Sequence, residues 1–268
     1  FYIESINDKY LNDDNEVLKN SIKILSDIVF NPIIKKGEFD EKYFETEKEK
    51  LKQIIDSKID NKDTYSYYRC IQEMHKGKVF GLYKYGYKID LDYIQNTDLY
   101  ERYEQIINTG KIDIFLSGNI GDEQIALVKN DKNISKLQNR VAVYNVQYGR
   151  SDLVNSETIK EVSESMKVAQ GKVVIGLNIS EKRENTSFVA LIYNMILGGS
   201  ANSKLFQNVR ESQSLAYTIS SRYLKPKNNI FIKCGIDIKN YEKVIQTIKE
   251  QLDDIKNGIC LCTNHEVA

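Results

Sequence analysis

Residues 215–238, LAYTISSRYLKPKNNIFIKCGIDI, decide the fold of the carboxyl-terminal half of the chain. Every second residue from Ile230 to Ile238 is apolar, a pattern typical of a strand with one buried face. Residues 215–223 form a second candidate strand, and Lys-Pro-Lys-Asn-Asn at 225–229 supplies the turn between the two. The stretch therefore predicts an antiparallel β-hairpin.

Helical patterns flank this hairpin on both sides along the chain. After it, Asn240 caps an amphipathic helix that is expected to end at Gly258. Before it come a strand at 172–179, a helix that ends at the glycine pair 198–199, and a short helix at 203–212. This order predicts an α+β fold in which an antiparallel sheet carries helices on one face.

The amino-terminal half is predicted to be mostly helical. Apolar residues recur at three- and four-residue steps over 17–29 (capped by residues 13–15), from about 40 to 55, over 64–75 and over 97–108. The run Ile-Asp-Ile-Phe-Leu at 112–116 is predicted to form a buried strand, followed by a short helix.

A weakly patterned stretch separates the two halves. Residues 131–156 lose periodicity and fill with Asn, Lys, Ser and Gln, which is typical of a linker, with a short extended piece expected at 141–146. This predicts a first domain at 1–130 and a second at 157–268. The chain begins with Phe1 in the middle of a pattern, so we expect that an amino-terminal piece is missing.

Composition excludes several classes of protein. The chain has 38 Lys and Arg against 38 Asp and Glu, so it lacks the net positive charge of a typical nucleic-acid-binding protein. No apolar run approaches the roughly 20 residues that span a bilayer, and no leader pattern is present. We therefore predict a cytoplasmic protein that binds neither nucleic acid nor a membrane.

The cysteines and histidines give weak signals. Four cysteines form no Cys-x-x-Cys pair, and the chain has only two histidines, which argues against a zinc finger. Cys234 is interpreted as a core residue, and His75 as a partly buried, hydrogen-bonded residue rather than a metal ligand. For Cys260 and Cys262, ahead of His265, a metal clip and a reduced thiol pair are both open interpretations, and the thiol pair is favoured.

One ordered block carries a family resemblance. Residues 194–221, NMILGGSANSKLFQNVRESQSLAYTISS, resemble the second domain of the insulinase/pitrilysin-type zinc metallopeptidases (inverzincins), which include the mitochondrial processing peptidase. Residues 25–32, 39–55 and 116–120 resemble the later part of that family's first domain, and the resemblance extends to about Gly258. It implies two related α+β domains, the first truncated at its amino terminus.

The resemblance assigns no metal ligand to this chain. Active members hold zinc with the two His of a His-x-x-Glu-His helix and a distant Glu, and the middle Glu activates the zinc-bound water. This sequence contains no His-x-x-Glu-His motif. Glu45 falls at the distant Glu, but a solvated helix residue is the favoured interpretation, because catalytic zinc needs about three protein ligands. Zinc is therefore expected only in active relatives or in a partner subunit.

Arg210 and Tyr217 are the candidate site residues. The resemblance implies that an Arg and a Tyr at this seven-residue spacing reach the zinc site, where they hold the substrate backbone and the carbonyl that becomes an oxyanion. The alternative is that Arg210 pairs with a neighbouring Glu and that Tyr217 is a core residue of its strand. The intact block around both residues favours the functional role.

Three functions follow from the resemblance. The first is a non-catalytic subunit that binds a peptide or unfolded polypeptide and offers the Arg/Tyr pair to a zinc-bearing homologue, or to a second copy. The second is a fragment of a single-chain zinc metalloendopeptidase whose zinc motif precedes Phe1. The third is a purely structural assembly subunit.

Overall fold

The computed structural model describes residues 1–11, 16–140, 159–179 and 186–263. The chain divides into two compact units, one formed by Phe1–Gln53 with Lys88–Gln147 and the other by Ile54–Tyr87 with Tyr148–Ala268. Each unit is thus assembled from two separate segments of sequence. The predicted cap at 13–15 and the extended piece at 141–146 lie outside the described residues, and the domain boundary around 131–156 stays a prediction.

The amino-terminal half contains the four predicted helices. Their apolar periodicity sets their positions, and capping groups assist at some ends: the Asn61 side chain, for example, accepts a hydrogen bond from Thr64 N at 2.9 Å. In chain order the elements are α1 (Val17–Phe30), β1 (Ile34–Lys35), β2 (Glu38–Phe39), α2 (Glu41–Asp56), α3 (Lys62–Met74), α4 (Lys88–Leu91), α5 (Asn96–Thr109) and α6 (Asp122–Lys129).

The predicted buried strand at 112–116 is wrong. These residues form no strand, and the Ile114 and Phe115 side chains are 48% and 91% exposed. An isolated β-segment gains no cross-strand hydrogen bonds, and no strand in the described part of the chain pairs with it. The apolar run therefore lies at the surface of its unit.

The second unit is built around a three-stranded antiparallel sheet. It consists of β3 (Gly171–Asn178), β4 (Ala216–Leu224) and β5 (Asn229–Ile236), with β5 in the centre. The predicted hairpin is confirmed, since β4 and β5 pair along their length. One face packs its alternating apolar residues against α7 (Thr186–Leu197), a π-helix (Phe206–Glu211) and α8 (Tyr241–Thr263). The α+β class is confirmed.

A helix from the first half of the sequence covers the other face of β5. Tyr67 of α3 lies with its ring edge-to-face on Phe231, with 5.1 Å between the centroids, and Phe231 is 1% exposed. The alternation in β5 predicted one buried face, but both of its faces are buried. Sequence periodicity reports only one of these contacts, because α3 is more than 150 residues away along the chain.

The end of α8 differs from the expectation. Its backbone continues to Thr263, so the predicted helix end at Gly258 is wrong. The side chains of Cys260, Cys262 and His265 lie outside the described part of the chain, and the choice between a metal clip and a thiol pair stays open. Cys234 is 3% exposed, as predicted for a core residue, and burial raises the pKa of its thiol to about 12.

Candidate functional site

Arg210 lies on the π-helix that connects α7 to β4. The wide helical turn is marked by Ser212 N, which donates to Gln207 O at 2.9 Å across five residues. Leu205 and Val209 anchor the turn, and both are fully buried in the core. The π-helix therefore fixes its outer residues, including Arg210, on a rigid support.

A tight turn links the π-helix to β4. Ser214 N donates to Arg210 O and Leu215 N donates to Val209 O, both at 3.0 Å. Ser214 adopts a left-handed conformation with φ of 50°, which few residues other than glycine adopt readily. The backbone between the two candidate site residues is thus held by two hydrogen bonds rather than by a loose loop.

Tyr217 is exposed and lies at a β-bulge in β4. Ala216 pairs with Ile236 and Thr218 pairs with Gly235, so Tyr217 is an extra residue between two successive pairs. Ala216 is 7% exposed, whereas Tyr217 is 53% exposed. The bulge thus places two consecutive exposed residues, Tyr217 and Thr218, between the buried Ala216 and Ile219. The alternative that Tyr217 is a core residue is wrong.

Tyr217 is one of the residues that line a surface depression of about 220 Å³. The polar residues of its wall are Ser214, Asp237, Lys239 and Asn240. Lys239 Nζ lies 2.9 Å from Asp237 Oδ2, and this hydrogen bond raises the pKa of Lys239 and lowers that of Asp237. The depression thus combines a phenol, an ion pair and small polar groups that suit a polar, hydrogen-bonding ligand.

The Arg210 guanidinium lies close to Phe206 and Glu211. Its carbon lies 4.6 Å from the centroid of the Phe206 ring, and its Nε lies 3.7 Å from Glu211 Oε1. The side chain is 42% exposed. The pairing with a neighbouring Glu is therefore present, as the alternative interpretation expected. Arg210 does not line the depression beside Tyr217, and the convergence of both groups on one ligand stays a prediction.

The described residues do not fit a zinc site. Glu45 is exposed on α2, as expected for a solvated helix residue. His75 is 1% exposed, and its Nε2 is hydrogen-bonded to Asn229 Oδ1 at 3.0 Å, so this nitrogen is already engaged within the protein. Among the described residues no three His, Cys, Asp or Glu side chains form a group suited to a metal ion. The available donors fall short of the three ligands typical of catalytic zinc.

Sequence reasoning missed Phe206, Asp237 and Lys239. Phe206 follows the buried Leu205 and looks like another core residue, although its four-residue spacing to Arg210 places both on one helical face. The bulge, by contrast, is visible only in the burial pattern of the structure. Two residues, rather than one, separate the buried Ala216 from Ile219. Such a break in a strand alternation is typical of an inserted residue.

A second cavity, of about 460 Å³, lies within the unit formed by Phe1–Gln53 with Lys88–Gln147. It is mostly apolar, and none of the predicted site residues line it. Its wall includes Phe39, Phe44, Leu51, Leu91 and Leu99.

No helix in the described part of the chain is both long enough and apolar enough to span a bilayer.

Comparison with known proteins identifies the family. The family described as peptidase M16 inactive domain matches residues 93–260, more than half of the chain. The chain belongs to the M16 peptidase family. This is the metallopeptidase family that residues 194–221 predicted, and the match includes Arg210 and Tyr217.

Relatives of known sequence or structure agree with this M16 assignment. "Probable inactive metalloprotease YmfF" of Bacillus subtilis (strain 168) is 34% identical over 265 residues, or 96% of this chain and 60% of that protein. A conserved protein of Enterococcus faecalis V583 is similar in structure, with a TM-score of 0.78 and 28% identity over 94% of this chain and 59% of that one. A peptidase M16 inactive domain from Pseudomonas fluorescens shares the fold, with a TM-score of 0.60 and 14% identity over 89% and 59% of the two chains. This M16 chain thus spans about three fifths of the length of these relatives.

Proposed function

We propose that this chain is a non-catalytic, peptide-binding subunit that offers Arg210 and Tyr217 to a zinc-bearing homologue. The observation that carries the proposal is the exposure of Tyr217 at the β-bulge, where this residue lines a polar depression. A tyrosine that served only to pack the sheet would gain nothing from this exposure. The match to an inactive-domain family and the name of the Bacillus subtilis relative support a role without catalysis.

The chemistry of the two side chains suits an extended polypeptide. A guanidinium has several N–H donors in a fixed plane, and a phenol donates one hydrogen bond, so both complement the carbonyl oxygens of a peptide backbone. Hydrolysis would need a further group that activates water, and we assign that group to the partner. The ligand is then a peptide or unfolded polypeptide, and the partner is a homologous zinc-bearing subunit or a second copy of this chain in the cytoplasm.

Binding of fluorescein-labelled casein, an unfolded polypeptide, tests the proposal. We expect the double variant Arg210→Ala, Tyr217→Phe to raise the Kd at least about tenfold, because a hydrogen bond to a charged donor contributes about 1.5–3 kcal/mol. Fluorescence anisotropy of the full chain gives the Kd. The matched control, Arg222→Ala with Tyr223→Phe, changes the same residue types on β4 away from the depression and should bind as the unmodified chain does.

A purely structural subunit is the second candidate. It is favoured by α7, which has no charged residue and whose apolar side chains lie largely at the surface of the described structure. An unchanged Kd for the double variant, or no casein binding at all, would contradict the peptide-binding role and support the purely structural subunit. The exposed apolar residues of α7 are Phe188, Val189, Leu191, Ile192, Met195 and Ile196.

A further inference from the structure

We infer that Phe206 is a positioning residue, which holds the Arg210 guanidinium in place for a bound peptide. The inference rests on the proposed function and extends it to a residue that does not itself contact the ligand. Its basis is the distance of 4.6 Å between the guanidinium carbon and the centroid of the Phe206 ring. A cation within about 6 Å of a ring centroid is attracted by the negative face of the ring.

The buried side of the π-helix restricts the positions of Phe206 and Arg210. Leu205 and Val209, which directly precede Phe206 and Arg210, are fully buried and four residues apart. Phe206 and Arg210 are also four residues apart and lie on the adjacent, outer face of the π-helix. There Phe206 is half-buried and Arg210 is exposed. The buried pair therefore fixes the orientation of the outer pair.

The backbone fixes the Arg210 side of the contact. The Arg210 carbonyl accepts from Ser214 N at 3.0 Å, in the turn that leads to β4 and Tyr217. The guanidinium is thus attached to a constrained backbone position, and only the torsions of its side chain stay variable. Phe206 restricts those torsions, so less conformational entropy is lost when a peptide binds.

The competing neighbour, Glu211, restrains the guanidinium less. Its carboxylate lies 3.7 Å from Arg210 Nε, and both side chains are about half exposed to solvent. Ion pairs between such exposed groups contribute little because water and salt screen them. A ring contact, by contrast, uses none of the guanidinium N–H groups as donors to an acceptor, so the terminal N–H groups can donate to a peptide carbonyl.

Two variants and two measurements test the inference. Phe206→Leu keeps an apolar side chain but removes the ring, and Phe206→Tyr keeps the ring. NMR of the full chain should show the Arg210 side-chain protons shifted upfield by the ring current in the unmodified protein and in Phe206→Tyr, but not in Phe206→Leu. The Kd for fluorescein-labelled casein should rise about two- to fivefold in Phe206→Leu and return to normal in Phe206→Tyr.

The two measurements separate this inference from the proposed function. An Arg210 spectrum without a ring-current shift in the unmodified protein would overturn the positioning role, whatever the casein affinity is. A shift that Phe206→Leu abolishes without a change in Kd would also overturn it. A ring-current shift in a chain that does not bind casein would support the Phe206 contact and contradict the proposed function instead.

Discussion

Gly176 of β3 lies directly against α3. A Cβ atom at this position would lie 2.8 Å from Met74 Sδ, 3.2 Å from Cys70 Sγ and 3.3 Å from Phe231 Cε1. We expect Gly176→Ala to lower the free energy of unfolding by about 1–3 kcal/mol, since added atoms force packed neighbours apart. Urea unfolding followed by circular dichroism measures the change.

Gly121→Ala is the matched control at this scale. Its nearest neighbour would be the flexible end of the Gln124 side chain at 3.3 Å, and its φ of −124° suits any residue. We expect a change smaller than about 0.5 kcal/mol. Equal losses of stability in the two variants would mean that the contact between α3 and β3 does not depend on the glycine.

Some single residues could be predicted from sequence and others could not. The alternation in β5 placed Cys234 in the core, as observed, whereas His75, predicted to be partly buried, is almost fully buried. The partner of His75 is Asn229, which lies 154 positions further along the chain. No local pattern identifies such a partner, because the two residues meet only through the packing of α3 on the sheet.

At the scale of elements, an ionic network joins α3 to the segment 159–170 that leads into β3. Glu164 accepts from Tyr65 Oη at 2.7 Å and from Arg69 Nε at 2.6 Å, and Arg69 also pairs with Glu73 at 3.0 Å. The hydrogen bonds from Tyr65 and Arg69 lower the pKa of Glu164. Those from Lys160 and Arg69 lower the pKa of Glu73.

The network predicts a loss of stability in acid. Because these folded-state pKa values lie below the unfolded value of about 4.3, the stabilisation is present above that pH and is lost as the pH falls through the folded values. We expect the free energy of unfolding of Glu164→Gln to fall less steeply with decreasing pH than that of the unmodified chain. The difference is at most about 1 kcal/mol, because the pairs are partly exposed. Urea unfolding between pH 6 and pH 3 measures this dependence.

A second variant checks the same network from its basic side. Arg69→Met removes the shared partner of Glu73 and Glu164, so its free energy of unfolding should also fall less steeply with decreasing pH. Curves for both variants that run parallel to that of the unmodified chain would show that the network does not contribute to acid sensitivity.

The elements themselves differ in how well the sequence predicts them. A helix makes its backbone hydrogen bonds within itself, so apolar periodicity located α1, α2, α3 and α5. A strand needs a neighbour, and the run at 112–116 has the composition of a strand but forms none. The π-helix is equally hidden, because one extra residue in a turn leaves the apolar spacing almost unchanged.

At the scale of the whole molecule, the chain is expected to bind no stoichiometric zinc. The described residues offer no three-ligand cluster, and the buried His75 has its Nε2 hydrogen-bonded to Asn229. Zinc titration followed by dialysis and elemental analysis should therefore find far less than one zinc per chain.

The tail provides the control for the zinc measurement. A variant with Cys260→Ser, Cys262→Ser and His265→Gln removes the metal clip that the sequence left open, and it should retain as little zinc as the unmodified chain. One zinc per chain that is lost in this variant would establish the clip, and one zinc retained in it would mean that other residues of the chain hold the metal.

The family could be predicted from one block because its defining residues are consecutive between 194 and 221. The surroundings of the candidate site residues could not be predicted, since Tyr217 lies at a β-bulge and Arg210 lies on a π-helix. Both are irregularities of a single residue, and tertiary contacts determine where such irregularities occur. The division of the chain into two units that interleave in sequence has the same origin.

The bulge in β4 makes Tyr217 separable from the rest of the strand. If this residue were excised, Ala216 and Thr218 would become neighbours, and inward and outward positions would alternate without interruption from Ala216 through Ile219 to Ser221. No core side chain would change sides. The sheet can therefore gain or lose this one residue without a change in its core. The core of the sheet and the exposed tyrosine can thus vary independently of each other.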